Sequence, residues 1–383
     1  MTNDYAAGLS EHPNAAAAVG EVVGQIIDTF GDDPVDLVVV FVSPHHLDAF
    51  DDIATAVRRL LSPAVLIGQS AVWIAGGGTE VEDGPALSVF AARLPDSELE
   101  GVQLEITSTP DGSAVTGWPD HPPATGTLVL LAEPFTFPVE AFLDRTNEFL
   151  PGVEVVGGLA SAADRPGGNR LVLDGTVVGH GAVGVFIRGV DISTVVSQGC
   201  RPVGRPFTVT RCDGRVLQEL GGRPAFERLR DLAGGLTEHE QFLLQHGLHL
   251  GVVMNEHHVD FERGDFLIRG VLGGDPDAGT LTVGEDLTVG MTVQFQVRDA
   301  SGAHEDLAAL LDAESDLPVG AALLFTCNGR GTPFFGEPGH DAGGVQLALG
   351  PLPLAGCFCA GEIGPVGGRA HLHGFTASIA VFH

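Results

Sequence analysis

Three stretches of the chain repeat one order of apolar and polar positions. Each begins with an apolar strand (37–42, 128–131 and 321–325), passes through apolar residues in helical phase, and reaches a second apolar strand that precedes a run of small residues. Paired glycines and a turn then lead to a third strand that ends in Val-Phe. The spacing of roughly thirty residues from the first strand to the small-residue run is typical of repeated supersecondary units. The pattern predicts a strand–helix–strand–hairpin unit present three times.

The first strands are apolar without alternation, as in strands buried on both faces, so we predict helix-covered sheets of the mixed α/β (α+β) class. Between the second and third copies lies different material: a hairpin at 207–217, a helix at 223–232 and short strands from 248 to 298. We therefore predict an inserted β-rich segment in the C-terminal half. The expected domains are an N-terminal helical extension (1–35), a first domain (36–206) and a second domain (207–383).

The charge balance limits the partners. The chain has 50 acidic and 19 basic side chains, a formal net charge of −31, and every basic residue is Arg. Such an acidic chain repels phosphate backbones and anionic lipid, so neither a nucleic acid nor a membrane surface is expected as a partner. The lack of Lys excludes Schiff-base chemistry and a phosphate-binding P-loop.

Cysteine usage and the N-terminal sequence predict a cytoplasmic protein. The chain has five Cys in 383 residues, an odd number and a low density, which does not fit a disulfide framework. The first twenty residues have no basic region followed by an apolar one, as a signal peptide would, and no apolar run approaches the length of a membrane span.

The chain does not contain the common sequence motifs of catalytic sites. The run around Ser70 lacks the Gly-x-Ser-x-Gly of a nucleophile elbow, and the glycines at 76–78 lack the spacing of a dinucleotide site. An enzyme that uses Cys359 as nucleophile and Glu362 as acid or base is an alternative, but no His is positioned to activate the thiol.

Histidines offer a second alternative, a metal or haem site. His371 and His373 fall on the same face of a strand, whereas His257 and His258 lie in a polar turn. A haem-dependent sensor would use a residue such as His180 or His373. We favour a structural role for His373 in the turn and expect no cofactor.

The loops after the strands of the third copy carry the strongest candidates. Asn328 and Arg330 directly follow a buried strand, and Glu362 sits in the matching loop after the next strand. Open α/β sheets place ligand-contacting loops there. An Arg suits a carboxylate and a Glu an amine, so together they would hold an amino acid. Alternatively, Arg330 and Glu362 pair with each other and brace the loops.

These residues lie within runs that resemble the C-terminal domain of the FIST family. The runs are Asn-Gly-Arg-Gly (328–331), Phe-Gly-Glu (335–337), Gly-Cys-Phe-Cys-Ala-Gly-Glu-Ile-Gly-Pro (356–365) and His-Gly-Phe-Thr (373–376). Segments 36–45, 82–87 and 199–204 resemble its N-terminal domain. The resemblance covers roughly residues 36–383.

The resemblance implies an intracellular sensory module for a small ligand, with amino acids the proposed class. Larger relatives join the module to signalling output domains, and some relatives bind haem and respond to nitric oxide. Without an output domain, the signal would pass to a separate partner or through a homo-oligomer. The expected ligand-binding residues are Asn328, Arg330, Glu362, Cys359, Ser70 and Thr376; the resemblance supplies no catalytic residues.

Overall fold

The computed structural model describes residues 3–31, 33–109, 112–254, 256, 261, 264–315 and 317–383. These residues divide into two compact units. The first comprises residues 1–197 and 307–383, and the second comprises residues 198–306. The three predicted repeats lie in the first unit, so the β-rich segment interrupts the third repeat in sequence.

Repeat 1 has two helices and six strands. In chain order they are β1 (Asp4–Ser10), α1 (Ala15–Phe30), β2 (Leu37–Val42), α2 (Phe50–Leu61), β3 (Val65–Ser70), β4 (Ile74–Gly76), β5 (Thr79–Val81) and β6 (Leu87–Arg93). A 3-10 helix, Pro44–Ala49, precedes α2.

Repeat 2 has the same order with one helix. Its elements are β7 (Glu98–Thr109), β8 (Gly112–Thr116), β9 (Gly126–Ala132), α3 (Val139–Phe149), β10 (Val153–Leu159), β11 (Leu171–Leu173), β12 (Thr176–Val178) and β13 (Ala182–Arg188).

The third repeat begins with β14 (Ile192–Gln198), after which the chain enters the second unit. The elements of that segment are β15 (Cys200–Pro202), β16 (Phe207–Asp213), β17 (Val216–Leu220), β18 (Arg223–Pro224), α4 (Ala225–Gly235), α5 (Glu238–His246), β19 (Leu248–Val253), β20 (Phe266–Asp275), β21 (Thr280–Val283) and β22 (Thr292–Arg298). Strand β22 pairs with both β16 and β19, so the strand ladder closes on itself around a separate apolar core.

The chain then completes repeat 3. Its remaining elements are α6 (Ala300–Glu314), β23 (Ala321–Cys327), α7 (Thr332–Phe335), α8 (His340–Leu349), β24 (Leu354–Cys359), β25 (Glu362–Val366), β26 (Arg369–His373) and β27 (Thr376–Phe382). The predicted triplication is thus present, since all three repeats share the order strand, helix, strand, hairpin and strand.

The repeats exchange hairpins in a cycle. In each repeat the strands before and after the central helix pair in parallel (β2 with β3, β9 with β10, β23 with β24). The last strand of the repeat pairs antiparallel to the first of these two (β6 with β2, β13 with β9, β27 with β23). The short hairpin between them joins another repeat's sheet: β4 pairs with β24, β25 pairs with β10, and β11 pairs with β3. No repeat therefore completes a sheet by itself.

Strands such as β2 are buried on both faces, as their composition predicts, but helices cover only one of the two. Leu37, Val39 and Phe41 face a core shared by the sheets of all three repeats. Val38 and Val40 face α1 and α2. The face of β2 that does not contact helices packs against the sheets of the other repeats. Composition alone does not show whether a strand face is covered by a sheet or by a helix.

Two local expectations differ from the structure. The N-terminal segment, expected to be a helical extension, contains β1 before α1, and β1 pairs antiparallel with β6. Its sequence, DYAAGLS, contains none of the β-branched residues that mark strands. Ser70, expected in a loop, is the last residue of β3. The division near residue 206 stays a prediction about sequence domains, which differ from the compact units.

Candidate functional site

The site lies at the carboxyl ends of β23 and β24. These strands run parallel, so the loops that follow them lie at the same edge of the sheet. The first loop contains Asn328 and Arg330 and leads into α7. The second consists only of residues 360–361, so Glu362, which was expected in this loop, is instead the first residue of β25. Sequence and topology therefore bring the loops together as predicted, while the side chains find different partners.

Arg330 forms a buried ion pair with Asp341 rather than with Glu362. Its Nε and Nη2 atoms donate to Asp341 Oδ2 and Oδ1 at 2.7 and 2.8 Å, and Thr326 Oγ1 donates to Oδ2 at 2.5 Å. The Phe335 ring centroid lies 5.0 Å from the guanidinium carbon. Among the described residues, Arg330 Nη1 finds no hydrogen-bond partner although Arg330 is only 1% exposed.

The acid in this ion pair stays charged. Burial would raise the pKa of Asp341, but the charge and hydrogen bonds of Arg330 outweigh burial and lower this pKa below its ordinary range. The pair accordingly fixes Arg330 against the first turn of α8, where Asp341 is the second residue.

Two further acids, which sequence analysis missed, come from the hairpin of repeat 1. Glu80 Oε1 accepts hydrogen bonds from the backbone N–H groups of Asp341 and Ala342 at 3.0 and 2.9 Å. Glu82 Oε1 accepts from Thr332 N and Oγ1, both at 2.9 Å. Burial and the charge of Asp341 raise the pKa of Glu80 to about 7. The sequence offered two weak signals: two Glu residues flank Val81 after the glycines, and Glu82 begins one of the runs that resemble the N-terminal domain.

Glu362 is fully buried, and only one of its two carboxylate oxygens accepts hydrogen bonds from the described residues. Its Oε2 accepts hydrogen bonds from Thr376 N at 3.1 Å and Thr376 Oγ1 at 2.8 Å, so the runs 356–365 and 373–376 meet at this contact. Oε1 finds no hydrogen-bond partner among the described residues. Burial raises the pKa of Glu362 to about 8, while hydrogen bonds from Thr376, the charge of Arg330 and the Cys327 thiol act in the opposite direction. Glu362 is therefore mostly protonated at neutral pH.

Cys359 lies in the shared core, away from solvent. Its Sγ is 3.7 Å from Cys357 Sγ and 3.8 Å from Gln69 Nε2. Burial, followed by the hydrogen bond and charge of Cys357, raises the pKa of Cys359 well above its ordinary value. A neutral, buried thiol is a poor nucleophile, so this geometry disfavours catalysis by Cys359.

Ser70 also has a structural contact. Its Oγ accepts a hydrogen bond from Arg170 N at 2.9 Å, at the point where repeat 2 sends its hairpin to β3. Ser70 thus anchors the exchanged hairpin, and it makes no hydrogen bond to the Arg330 and Glu362 loops in the described part of the chain.

Asn328 is exposed and lines a cleft of about 540 Å³. The other wall residues come from the ends of the repeat 2 and repeat 3 strands: Pro134, Phe135, Ser161, Ala162, Ala163, Asp164 and Ala360. Asn328 lines the cleft two residues before the buried Arg330, and Ala360 lines it two residues before the buried Glu362.

The histidine candidates are dispersed. His373 Nε2 lies 2.9 Å from the Gly364 carbonyl oxygen, and the His371 and His373 rings are 6.0 Å apart. His180 lies at the surface with Nε2 3.6 Å from Glu105. His257 and His258 lie outside the described residues. In the described part of the chain, no three His, Cys, Asp or Glu side chains cluster as metal ligands would.

Comparison with known proteins decides the family. Residues 36–223 match the FIST N domain and residues 225–365 match the FIST C domain. The chain belongs to the FIST family. FIST domains are sensory domains that bind small ligands.

Two relatives match this FIST protein along nearly their whole length. The uncharacterized protein Mb0898c of Mycobacterium bovis is 44% identical over 378 residues, 98% of this chain and 97% of the relative. The uncharacterized protein Rv0628c of Mycobacterium tuberculosis is 43% identical, with 98% of each chain covered. Among the residues that the structure describes, no helix has both the length and the apolarity to cross a membrane.

Proposed function

We propose that this FIST protein is a cytoplasmic sensor that binds an amino acid or a similar small polar metabolite at the ends of β23 and β24. The observation that carries the proposal is a pair of unsatisfied buried atoms. Arg330 Nη1 and Glu362 Oε1 each lack a hydrogen-bond partner in the described residues. A buried polar atom without a partner costs about 1–3 kcal/mol, so such atoms at one site mark where a polar ligand would be stabilising.

The two atoms suit the two ends of an amino acid. Arg330 Nη1 is a charged donor for a carboxylate, and its other nitrogens are already fixed by Asp341. Glu362 Oε1 accepts no hydrogen bond of normal geometry from the described residues and would receive an ammonium group, which would favour the ionised acid. The groups interact electrostatically, because the Arg330 charge acts on the pKa of Glu362.

The cleft lined by Asn328 provides the entrance in this proposal. Asn328 is exposed and offers both a donor and an acceptor, whereas Arg330 and Glu362 are closed off from solvent. Binding would then shift the loops that carry Asn328 and Ala360. A movement of these loops is the change that a separate signalling partner, or a second copy of the chain, would detect.

The first test is a thermal-shift screen of the purified protein against the twenty amino acids and common metabolites. A ligand at 100 times its Kd stabilises the folded state by about 2.7 kcal/mol, which raises the Tm by a few degrees. A hit should lose most of its shift in Asn328→Ala and Glu362→Gln, and keep it in Glu100→Gln, which changes an exposed acid elsewhere. A hit that keeps its full shift in both site variants would place the ligand elsewhere.

Proton release gives a sharper test of the Glu362 role. The acid is mostly protonated at pH 7 in the free protein, since its pKa is about 8. An ammonium group beside it would lower that pKa, so binding at pH 7 should release up to about one proton. Calorimetry in two buffers of different ionisation enthalpy measures this release. At ligand concentrations high enough to saturate the weakened variant, we expect the release per bound ligand to vanish in Glu362→Gln; an equal release from that variant would show that another group titrates.

A further inference from the structure

Repeat 2 lacks a helix that the other two repeats have. In repeat 1, α1 lies between β1 and β2 in sequence and packs beside α2 on the outer face of the sheet. In repeat 3, α6 precedes β23 and packs with α8 on the corresponding face. In repeat 2 the described residues between β7 and β9 form β8 and an irregular segment at 117–125, so only α3 covers that face.

A groove of about 1090 Å³ runs beside α3. Helix α3 contributes Ala141, Phe142, Arg145, Thr146 and Phe149, a spacing that presents one face of the helix over most of its length. The opposite wall comes mainly from β7, β8 and Trp118. The α3 residues that line the groove extend from position 141 to position 149, about 12 Å along the helix axis or roughly two helical turns.

Trp118 occupies only part of this space. Its ring stacks on Phe142 with centroids 5.3 Å apart and lies 5.9 Å from Phe186 of β13. In repeat 1 the corresponding strand, β6, is covered by α1. The mouth of the groove exposes large apolar side chains: Phe149 is 61% and Phe135 is 48% exposed. Exposed aromatic side chains around a concave apolar surface are typical of binding sites.

Charge indicates what kind of helix would fit. Of the described residues that line the groove, Arg145 is the only charged one. Its guanidinium carbon lies 4.5 Å from the Phe149 ring centroid, and its nearest acid, Glu148, is exposed at 3.6 Å. Exposed ion pairs of this kind contribute little, so Arg145 can exchange Glu148 for an acid on a ligand. The helices that cover the other repeats, α1 and α6, both carry acidic residues and neither Lys nor Arg.

We propose that this groove, lined by α3, β7, β8 and Trp118, binds an amphipathic α-helix of a partner protein. The bound helix would take the place that α1 and α6 hold in repeats 1 and 3. It would present an apolar stripe to Trp118, Phe142 and Phe149 and an acidic side chain to Arg145. The proposal concerns a surface separate from the ligand site, so the two can be tested independently.

The probe is a fluorescein-labelled peptide of residues 15–30, the sequence of α1, and the measurement is its anisotropy with the full-length protein. We expect saturable binding that Phe149→Ser and Arg145→Glu each weaken by about tenfold or more. Both substitutions are at exposed positions, so the fold should persist. Leu347→Ser, at an 87% exposed apolar residue of α8, is the control and should bind as the wild type does.

Several outcomes would overturn the proposal. Absent binding, equal binding of a scrambled peptide, or binding that both groove variants retain would each do so. Sedimentation of the protein without peptide separates a further occupant: a dimer that Phe149→Ser dissolves would assign the groove to a second copy. A dansyl-labelled fatty acid that binds while the peptide does not would assign it to a small apolar acid.

Discussion

At the scale of single residues, Glu362 should make stability depend on pH in an unusual direction. Burial raises its folded-state pKa to about 8, against an ordinary value of 4.5. Between these values the folded state holds a proton that the unfolded chain releases, so stability falls as pH rises from about 4.5 to 8. Most paired carboxylates act in the opposite sense, because their folded pKa is lowered.

Glu362→Gln isolates this contribution, since Gln mimics the protonated acid. We expect the Tm of the variant to rise relative to wild type by a few degrees between pH 5 and pH 8. Fluorescence is a suitable readout because both tryptophans, Trp73 and Trp118, lie in the first unit with Glu362. Glu80 also titrates in this range but is present in both proteins. A Tm difference that stays constant with pH would contradict the raised pKa.

The same residues show what sequence can and cannot predict at this scale. The two loops were predictable from sequence, because the family-like runs around Arg330 and Glu362 lie at the ends of the apolar strands. The partner of Arg330 was not predictable, since Asp341 lies 11 positions further on and on a helix whose glycines weaken its pattern. Glu80 is 261 positions before the N–H group it accepts from, so only the exchanged hairpin reveals the contact. The ligand role of the six candidate residues stays a prediction.

At the scale of elements, a glycine in the second strand of each repeat controls strand packing. Gly68, Gly157 and Gly356 lie opposite Val40, Leu130 and Leu324 in the parallel pairs. A Cβ at Gly356 would lie 2.2 Å from the carbonyl oxygen of Leu324, and the corresponding distances at Gly68 and Gly157 are 2.5 and 1.9 Å. Backbone atoms cannot move aside as a flexible side chain can.

We therefore expect Gly356→Ala to destabilise the first unit by about 1–3 kcal/mol, the usual cost of overpacking. Gly20→Ala is the matched control, because Gly20 lies in α1 with no atom within 4 Å of the added methyl group. That change should stabilise by about 0.5–1 kcal/mol, since Ala favours helix more than Gly. Urea unfolding followed by tryptophan fluorescence measures both. The same sign for the two variants would contradict this account.

Elements also show where sequence patterns lose information. The repeated strands and helices were predictable because long apolar strands and helical phase recur three times. Short strands such as β4, β11 and β25 have little pattern of their own, and their partners lie in another repeat. The composition of the long strands predicted that both of their faces are buried. It did not predict what packs on each face, which is a helix layer on one side and the core shared by the three sheets on the other.

At the scale of the whole molecule, the cyclic exchange makes the three repeats depend on one another, while the segment within repeat 3 has its own closed ladder and core. The ends of that segment meet: Asp299 N donates to the Gly199 carbonyl oxygen at 3.2 Å. A short Gly-Ser linker can therefore join Gln198 to Ala300 in place of residues 199–299, which keeps the residues of α6 and with them Leu307 and Leu311 in the apolar core of the first unit.

We expect the linked chain to unfold cooperatively with native tryptophan fluorescence, and the fragment 198–306 to fold alone. By contrast, the fragment 1–197 should not unfold cooperatively, although it holds two full repeats, because β10 loses β25 and the β4–β5 hairpin loses β24. Thermal unfolding by circular dichroism and fluorescence distinguishes these cases. Cooperative unfolding of 1–197 would mean that two repeats suffice; a non-cooperative linked chain would mean that the inserted segment is required. The fragment 1–197 is expected to fail because the edge of β10 and the edge of the β4–β5 hairpin lose their hydrogen-bonding strands and become exposed to solvent.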